Sequence, residues 1–241
     1  MFSIFSSKKK FLSTGLLDGM TDVHCHLLPG VDDGMPSIEK AKEAIKWLEQ
    51  VGVKEIWLTP HNMEECPKNN RKYLQEQFEL FLKECPSGIS FHLAGEYMLD
   101  MSFYDRLNEN PCTLGNSFLL VETSYMSAPA DFWNMLYKVT LSGYTPIIAH
   151  PERYMYMEEQ DYRQLKQKGY LFQLNIMSLC GVYGRLPYEK AMRFLKEGTY
   201  DLIGSDLHRL GIYRQALERL KVSTKEIALL KPLFENNKSL K

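Results

Sequence analysis

The chain has 241 residues, 44% of them hydrophobic, 12% aromatic and 24% charged, which is typical of a soluble single-domain globular protein and unlike collagen, a coiled coil or a disordered chain. Its 29 Lys and Arg residues against 30 Asp and Glu residues give a formal net charge of -1, which argues against the broad basic face of a sequence-independent nucleic-acid binder. The five cysteines are odd in number and lack a Cys-x-x-Cys spacing, so they favour a reducing cytoplasm over a disulfide framework or a zinc knuckle.

The N-terminal segment, residues 1–19, combines two short apolar patches with the lysine run 8–10. Polar residues and a glycine at 13–15 interrupt the apolar stretch after the lysines, so the pattern of a signal peptide is missing. No later stretch of uninterrupted apolar residues reaches the roughly 18–20 residues of a membrane-spanning helix. We interpret residues 1–19 as a cytoplasmic arm, frayed or docked, with weak binding to a membrane or a partner as the alternative, and residues 20–241 as one domain.

From Met20 onwards, short apolar runs alternate with amphipathic segments of helical period. The pattern predicts strands over residues 21–24, 55–58, 90–94, 118–121, 145–149, 170–174 and 202–204. It predicts helices over residues 36–50, 70–85, 130–141, 159–168, 187–197, 211–220 and 224–234. Seven strands, each followed by a helix or a helical turn, favour an α/β fold with a parallel barrel of fewer than eight units over a doubly wound sheet. No glycine-rich phosphate loop follows any strand.

Residue types that bind metal ions lie at the carboxyl ends of six of these strands. They are His24 and His26 after the first strand, His61 after the second, Glu96 after the third, Glu122 after the fourth, His150 after the fifth, and Asp206 and His208 after the seventh. Such ends open on one face of a parallel barrel, where these enzymes build their active sites. A single His-x-His pair is weak evidence, but this agreement among many residues predicts a metal site.

Two kinds of residue are expected to lie outside that site. His92 falls inside the third strand, so we interpret it as a packing residue in the core or at the surface. Cys25 lies between His24 and His26 but points the other way on a strand, and all five cysteines are interpreted as buried small apolar residues. No Cys-x5-Arg loop of a thiol phosphatase is present.

A resemblance to a known family is carried by segments that stand here as TDVHCHLLPGVDDG, LTPH, AGEYML, LLVETS, PIIAHPERY, FQLN and IGSDLH. These segments resemble the polymerase and histidinol phosphatase (PHP) superfamily, and within it the manganese-dependent tyrosine phosphatases of bacterial capsule and exopolysaccharide loci. His-Pro-Glu-Arg-Tyr and Val-Asp-Asp-Gly favour that subgroup over the histidinol phosphatases. The resemblance runs from about residue 21 to residue 220 and implies a PHP fold, a distorted TIM-like (β/α)7 barrel.

The resemblance also implies three divalent metal ions. The first would bind His24, His26, Glu96 and Asp206; the second would share Glu96 and add Glu122 and His150; the third would use Asp33, His61 and His208. Asp33 lies beside Asp32 in the loop 30–34, and either aspartate could be structural, although the resemblance favours Asp33 as the ligand. Manganese is expected, and iron or zinc would also suit a mixed shell of imidazoles and carboxylates.

The net charge of the metal ions and their carboxylate ligands indicates the charge of the substrate. Three divalent ions against four carboxylates leave a positive balance, increased by Arg153, opposite a phosphate monoester dianion. A metal-activated water would then attack phosphorus with no covalent phosphoenzyme, while Arg153 holds phosphate oxygens and His61 or a metal-bound water protonates the leaving group. Family members carry a second phosphate-binding arginine after the Asp-x-His motif, a role that falls here to Arg214, to Arg209 or to neither.

The resemblance implies a cytoplasmic phosphatase that acts on the phosphotyrosine-containing tail of a bacterial tyrosine kinase controlling polysaccharide export. Two alternatives stay open: a PHP phosphatase of a small phosphomonoester such as histidinol phosphate, and a non-catalytic module that binds the kinase. A nuclease ranks last because no basic, aromatic-rich track is evident. Four tyrosines near the expected site either line its pocket or are ordinary rim residues: Tyr125, Tyr154, Tyr156 and Tyr183. The sequence leaves the oligomeric state open.

Overall fold

The computed structural model describes residues 8–85 and 87–240. Its strands are β1 (Lys9–Lys10), β2 (Thr21–Cys25), β3 (Glu55–Leu58), β4 (His61–Asn62), β5 (Ser90–Leu93), β6 (Glu96–Met98), β7 (Phe118–Glu122), β8 (Thr145–Ala149), β9 (Leu171–Asn175), β10 (Leu202–Gly204) and β11 (Lys221–Val222). Its α-helices are α1 (Ile38–Gln50), α2 (Arg71–Glu84), α3 (Phe103–Asn108), α4 (Phe132–Leu141), α5 (Glu159–Gln167), α6 (Arg185–Glu197), α7 (Leu210–Arg219) and α8 (Thr224–Asn237).

Local sequence accounts for where these helices begin and which face they bury. The side chain of Ser37 accepts a hydrogen bond from the Lys40 backbone N–H and caps α1. Ala41, Ala44, Ile45 and Leu48 then form the buried stripe of this helix at helical spacing. Burial of that stripe against the strands fixes which side of α1 faces the core.

Nine of the strands form two parallel sheets that curl towards each other. One has the order β10-β9-β8-β7-β6-β4 and the other the order β2-β3-β5. Only two residues separate β3 from β4 and β5 from β6, so the chain continues directly from one sheet into the other at these two places. At the opposite edges, a parallel bridge joins Cys25 to Leu207, and the backbone N–H of Asp206 donates to the carbonyl of His24 at 2.8 Å.

Side chains from five strands meet inside this curl. Val23, Trp57, Leu120, Ile147 and Leu202 belong to one buried apolar cluster, and they come from β2, β3, β7, β8 and β10. A second, larger cluster packs between the strands and the helices. The sheets therefore enclose a packed core and present their strand ends above it.

All seven predicted strands are found, and the predicted α/β class with parallel pairing is confirmed. The ladder is divided between two sheets, so a closed barrel of seven units is not present as one continuous ladder. No sequence pattern predicted β1, β4, β6, β11 or α3. These four strands have only two or three residues each, and pairing with segments distant in the sequence defines them, which no local pattern reveals.

The described part of the N-terminal segment is docked. Lys9 and Lys10 pair antiparallel with Val222 and Lys221, and the backbone N–H of Phe11 donates to the carbonyl of Leu220 at 2.9 Å. The Phe11 side chain is 1% exposed and joins the larger apolar cluster. Of the two states expected for the arm, residues 8–19 adopt the docked one, while residues 1–7 lie outside the described residues.

Replacing Phe11 by Ala should lower the free energy of unfolding by about 3–5 kcal/mol, since a fully buried phenyl ring would leave a cavity. Urea unfolding followed by circular dichroism measures this difference. Leu12→Ala, at a half-buried neighbour, should cost less and serves as the control. A Phe11→Ala cost below about 1 kcal/mol would show that the arm does not dock in solution.

The prediction that all five cysteines are buried holds for three of them and is wrong for Cys66 and Cys180, which are only partly buried. All five are free thiols, and Cys25, Cys85 and Cys112 are buried. Burial raises the pKa of the Cys25 thiol well above its usual value, which leaves this group protonated and unreactive. Over the described ranges, no helix has both the length and the apolar character that a bilayer span requires.

Candidate metal centre

The fold brings the residues at the strand ends into one cluster. Glu96 lies at its middle, where its carboxylate is fully buried and approaches the rings of four histidines at 3.0 to 3.3 Å. The side chains assembled around it are His24, His26, Asp33, His61, Glu122, His150, Asp206 and His208. Every residue proposed from the strand ends is therefore in this cluster, together with Asp33 from the loop.

Four donor atoms form the tightest group. Nε2 of His24 and Nε2 of His26 are 3.1 Å apart, and each lies 3.2 or 3.3 Å from Oε2 of Glu96. Oδ1 of Asp206 lies 3.5 Å from both nitrogens. Four ligand atoms at about 2.0–2.2 Å from one tetrahedral cation are separated by similar distances. The geometry of this group suits a single divalent ion.

A second group shares Glu96. Nε2 of His150 lies 3.0 Å from Oε1 of Glu96 and 3.7 Å from Oε2 of Glu122. Nδ1 of His61 lies 3.0 Å from Oε1 of Glu122 and 3.1 Å from Oε2 of Glu96. These three facing atoms, His61 Nδ1, Glu96 Oε2 and Glu122 Oε1, are buried without a hydrogen-bond partner in the described structure. Such groups are rare in native proteins, and a cation would satisfy them.

The third group lies at the solvent edge. Oδ1 of Asp33 is 3.4 Å from Nε2 of His61 and 3.3 Å from Nε2 of His208. The Asp33 side chain is 72% exposed, whereas the rings of both histidines are largely covered. Hydrogen bonds from His208 and His61 hold the pKa of the Asp33 carboxyl below its usual range, so it carries the negative charge that a cation requires.

His61 faces carboxylates with both of its ring nitrogens. Nδ1 points to Glu96 and Glu122, and Nε2 points to Asp33. Neither nitrogen is directed away from the cluster, so this arrangement suits a residue that links two of the groups better than it suits a proton donor to a leaving group.

Outer residues orient the two histidines at the centre. The amide oxygen of Gln173 accepts from Nδ1 of His24 at 2.9 Å, and Oδ2 of Asp32 accepts from Nδ1 of His26 at 2.8 Å. In the neutral ring this leaves Nε2, the atom facing Glu96, without a proton and able to bind a metal. Asp32 and Asp33 are therefore divided in role, one holding a ring and the other facing two rings.

Asn175 and Glu152, neither of which was predicted as a site residue, extend this support. The side-chain N–H of Asn175 donates to Oδ2 of Asp206 at 2.6 Å. Glu152 is fully buried, and it accepts from the Ser178 hydroxyl at 2.7 Å and the Tyr200 hydroxyl at 2.9 Å. Gln173 and Asn175 are two apart at the end of β9 and share a face, a signal in the sequence that could have identified both.

Two site residues occupy strained backbone conformations. His150 has φ 33° and Asp206 has φ 50°, in the left-handed region that residues other than glycine rarely adopt. His150 also precedes Pro151, which disfavours compact backbone conformations at the preceding position. Strain of this kind costs about 1–3 kcal/mol per residue and is concentrated at functional sites.

The electrostatics of the cluster also fit a cation. Burial opposes the charged form of His24, but Glu96 and Asp206 outweigh it and raise the pKa of this histidine. The carboxylates therefore attract positive charge strongly enough to overcome desolvation. A divalent ion satisfies the same demand, and its binding would release protons from the histidines.

Asp32→Asn should lower metal affinity by about 10–100-fold, the usual effect of changing an outer-shell partner. Asp32 accepts three hydrogen bonds, from His26 Nδ1 and the backbone N–H groups of Gly34 and His61. An amide cannot accept all three, so the His26 ring loses its fixed orientation. Titration against a competing chelator measures the change. Asp105→Asn on the exposed face of α3 is the control, and equal affinities in the two variants would contradict the assigned role.

Arg153 lies beside the cluster of histidines and carboxylates and is held by three side chains. Its Nη1 donates to Oδ2 of Asp206 at 3.0 Å, and its guanidinium carbon lies 4.0 Å from the ring centres of both Tyr125 and Tyr183. Burial opposes the charge of Arg153, but the facing Tyr125 and Asp206 outweigh this and keep its pKa above the usual value. Asp206 thus contacts the histidine cluster with one oxygen and Arg153 with the other.

A cavity of about 440 Å³ opens above these groups. Its polar lining includes Asp33, His61, His150, Arg153 and Asp206. Met177, Val182 and Ile212 also line it and form its apolar wall. The cavity therefore combines polar groups suited to an anion with a surface suited to an aromatic or aliphatic group.

The two other candidate arginines are placed differently. Arg214 is not among the residues that line the cavity; its Nε donates to Glu218 at 2.8 Å, and its side chain is 56% exposed. Arg209 does line the cavity, but its Nη1 donates to the backbone carbonyl oxygens of Asp33 and Gly34. The structure does not bring Arg214 into the site, because its helical position directs it towards Glu218.

Two of the four candidate tyrosines line the cavity, and the other two do not. Tyr125 and Tyr183 line the cavity, whereas Tyr154 is fully buried and donates to the carbonyl of Ala149, and Tyr156 hydrogen-bonds to Thr123. His92 lies outside the cluster as predicted. Its Nε2 lies 2.9 Å from Glu55, and its ring stacks on Trp57.

Comparison with known proteins gives the cluster a context. A family model described as "Capsular polysaccharide synthesis, CpsB/CapC" matches residues 20–225. The chain is 28% identical over 209 residues to the tyrosine-protein phosphatase YwqE of Bacillus subtilis, covering 79% of this chain and 78% of that protein. It is also 28% identical over 208 residues to the tyrosine-protein phosphatase CpsB of Streptococcus agalactiae, covering 80% and 84%.

Solved structures show the same fold. A chain from the crystal structures of YwqE from Bacillus subtilis and CpsB from Streptococcus pneumoniae, described as unique metal-dependent tyrosine phosphatases, superposes with a TM-score of 0.74. The two chains are 24% identical, and the match covers 92% of this chain and 94% of that one. The phosphotriesterase homology protein from Escherichia coli, complexed with phosphate, superposes with a TM-score of 0.54 at 12% identity, covering 92% and 98%.

Proposed function

The chain belongs to the CpsB/CapC family of capsular polysaccharide synthesis proteins, and we propose that it is a metal-dependent protein-tyrosine phosphatase. One observation carries this proposal: a cluster of five histidines and four carboxylates and the clamped guanidinium of Arg153 line or adjoin a single cavity. Metal ligands next to a fixed cation suit the hydrolysis of a phosphate monoester. The apolar wall of the cavity suits the ring of phosphotyrosine.

We assign three divalent ions to the cluster. His24, His26, Glu96 and Asp206 would hold the first, Glu96, Glu122 and His150 the second, and Asp33, His61 and His208 the third. The donor distances and the orphaned buried atoms support this assignment, with His61 Nδ1 directed towards the second group as well. Mixed nitrogen and oxygen donors suit manganese, with iron and zinc as alternatives. When bound, such ions lower the pKa of water and neutralise charge on phosphate.

The protein's own groups complete the reaction geometry. Arg153 would bind the non-bridging oxygens of the phosphate, and Tyr125 and Tyr183 hold its planar guanidinium so that little entropy is lost on binding. Asp206 orients Arg153 by accepting a hydrogen bond from its Nη1. Phenolate is a good leaving group, so the reaction has little need of a strong general acid. This relaxed requirement accords with a site in which both nitrogens of His61 face carboxylates.

The substrate and the setting are also proposals. We propose the phosphotyrosine-containing tail of a bacterial tyrosine kinase that regulates capsule or exopolysaccharide synthesis, acted on in the cytoplasm. Family membership supports the connection with capsule synthesis. For the fold, we propose that residues 20–241 form one domain with a distorted seven-unit barrel. The single bridge between Cys25 and Leu207 and the shared core of five strands support closure.

A substrate comparison tests the function. Turnover should be measured on a phosphotyrosine peptide, the matched phosphoserine peptide and histidinol phosphate, with manganese and after treatment with a chelator. We expect hydrolysis of the phosphotyrosine peptide, lost with the chelator and restored by manganese. A preference for histidinol phosphate would replace the substrate assignment. Absence of hydrolysis on all three would leave a binding module, and chelator-insensitive turnover would exclude the metal mechanism.

Metal counting tests the number of ions separately. Protein of known concentration is loaded with manganese, freed of weakly bound metal and analysed for metal and activity together. Three ions per chain at full activity are expected from the three donor groups. Two or fewer ions per chain at full activity would contradict the third assignment, which rests on Asp33 and His208 at the solvent edge.

A further inference from the structure

A groove continues from the active-site cavity along the surface. It has a volume of about 290 Å³ and lies between the loop after the 3-10 helix at Ile176–Cys180 and the outer face of α7. Val182 and Ile212 line both the cavity and the groove and form the ridge between them. These two side chains are 44% and 56% exposed, large values for apolar residues. A chain that places one residue in the cavity can therefore continue over the ridge into the groove.

The far end of the groove is positively charged. Arg219 and Lys221 line it, and its lining contains no acidic residue. Lys10 is the direct cross-strand partner of Lys221 in the β1–β11 ribbon, so both lysines project from the same face of that ribbon. Lys10, Arg219 and Lys221 are all exposed. Like charges directly opposite each other destabilise a strand pair, and an anion bound between them would remove that cost.

The neighbouring acidic groups are already engaged. Glu218 accepts from Arg214 at 2.8 Å, and Glu226 accepts from the backbone N–H of Ser223 at 2.6 Å, where it caps α8. Among residues 8–85 and 87–240, no carboxylate forms an ion pair with Arg219, Lys221 or Lys10. Lys10 lies before residue 20, where the family match begins, so it belongs to the part of the chain outside that match.

We propose that this groove binds acidic residues flanking phosphotyrosine in an extended peptide substrate, with Val182 and Ile212 supporting the peptide and Arg219, Lys221 and Lys10 binding its carboxylates. The inference rests on the proposed phosphatase function and specifies the substrate class of the same site. Continuity with the cavity favours a peptide over a lipid surface, because a membrane would contact the lysines without entering the groove. Exposed ion pairs contribute little individually, but several together guide encounter and selectivity.

The test compares two phosphotyrosine peptides that differ only in having Glu or Gln at the positions flanking the phosphotyrosine on both sides. For the wild-type protein we expect kcat/KM to be about tenfold higher for the Glu peptide at low salt. The preference should shrink as the ionic strength rises towards about 0.2 M, because salt screens exposed charges. Turnover of p-nitrophenyl phosphate, which does not reach the groove, should show no comparable salt dependence.

A charge variant with a matched control completes the test. Arg219→Gln combined with Lys221→Glu should remove the preference and leave turnover of p-nitrophenyl phosphate unchanged, since neither residue lines the active-site cavity. Lys46→Glu combined with Lys72→Gln makes the same change in net charge at exposed positions of α1 and α2 and should keep the preference. The salt series on wild-type protein tests the proposal independently of either variant.

Three outcomes would overturn the inference. Equal kcat/KM for the Glu and Gln peptides in the wild-type protein would do so, as would a preference that survives in the Arg219 and Lys221 variant. A third is binding to phosphatidylserine vesicles that depends on these residues without any peptide preference, which would reassign the basic end to lipid. Failure of the proposed function is distinct, because no phosphotyrosine substrate would then be hydrolysed.

Discussion

Glu96→Gln is expected to lower kcat/KM for a phosphotyrosine peptide by at least about 10³-fold, more than the 10–100-fold typical of outer-shell changes. Oε2 of Glu96 faces Nε2 of both His24 and His26, and Oε1 faces Nε2 of His150. The amide removes a negative charge shared by two donor groups and places an N–H against histidine nitrogens. Two ion sites should therefore weaken together.

Metal content and activity should be measured on the same Glu96→Gln sample, with circular dichroism to confirm the fold. His92→Asn is the matched control, because His92 bonds to Glu55 and stacks on Trp57 away from the cluster. It should retain wild-type metal content and turnover. A Glu96→Gln protein that keeps both its metal and its activity would refute the shared-ligand assignment, and metal loss in His92→Asn would extend the site beyond the described cluster.

Arg153→Ala should lower kcat/KM by about 10²-fold or more while leaving metal content close to wild type, as expected when one fixed donor to the developing charge is removed. Arg153→Lys should recover only part of this loss. An ammonium group cannot stack between the rings of Tyr125 and Tyr183 or bind two phosphate oxygens in one plane. Steady-state kinetics with a phosphotyrosine peptide, combined with metal analysis, measures both effects.

Arg214→Ala provides the matched arginine control. Its guanidinium pairs with Glu218 at an exposed position outside the cavity, so we expect kcat/KM to change by no more than about twofold. A loss as large as that of Arg153→Ala would restore Arg214 as the second phosphate-binding residue and would require α7 to move on substrate binding. Near wild-type turnover of Arg153→Ala would remove Arg153 from the reaction.

Arg153 and Arg214 show when distance from a sequence motif predicts where a side chain lies. Arg153 follows His150 by three residues in a 3-10 turn, so its position relative to the cluster is nearly fixed by local chain geometry. Arg214 lies one turn into α7, where helical rotation and a partner four residues away decide its direction. Spacing from a motif is informative within a short rigid turn and much less so on a helix.

The residues of the cluster could be found from the sequence because their signal is local. Apolar runs of four or five residues predict strands, and metal-binding residue types directly after them predict a shared face once the strands are parallel. His24, His61, Glu122, His150 and Asp206 follow from that logic. Asp33 does not, since it lies in a loop without a period, and only the resemblance favoured it over Asp32.

The contacts that orient the side chains of the cluster depend on the tertiary structure alone. Gln173 is 149 residues from His24, and Tyr125 and Tyr183 reach Arg153 from separate loops, so these contacts exist only after the sheets curl together. The same holds for the β1–β11 ribbon, in which Lys10 pairs with Lys221. The sequence by itself determined which residues could bind metal and which strand ends carry them. Folding determined which of those atoms face one another, because a side chain's partners depend on long-range closure that no local pattern encodes.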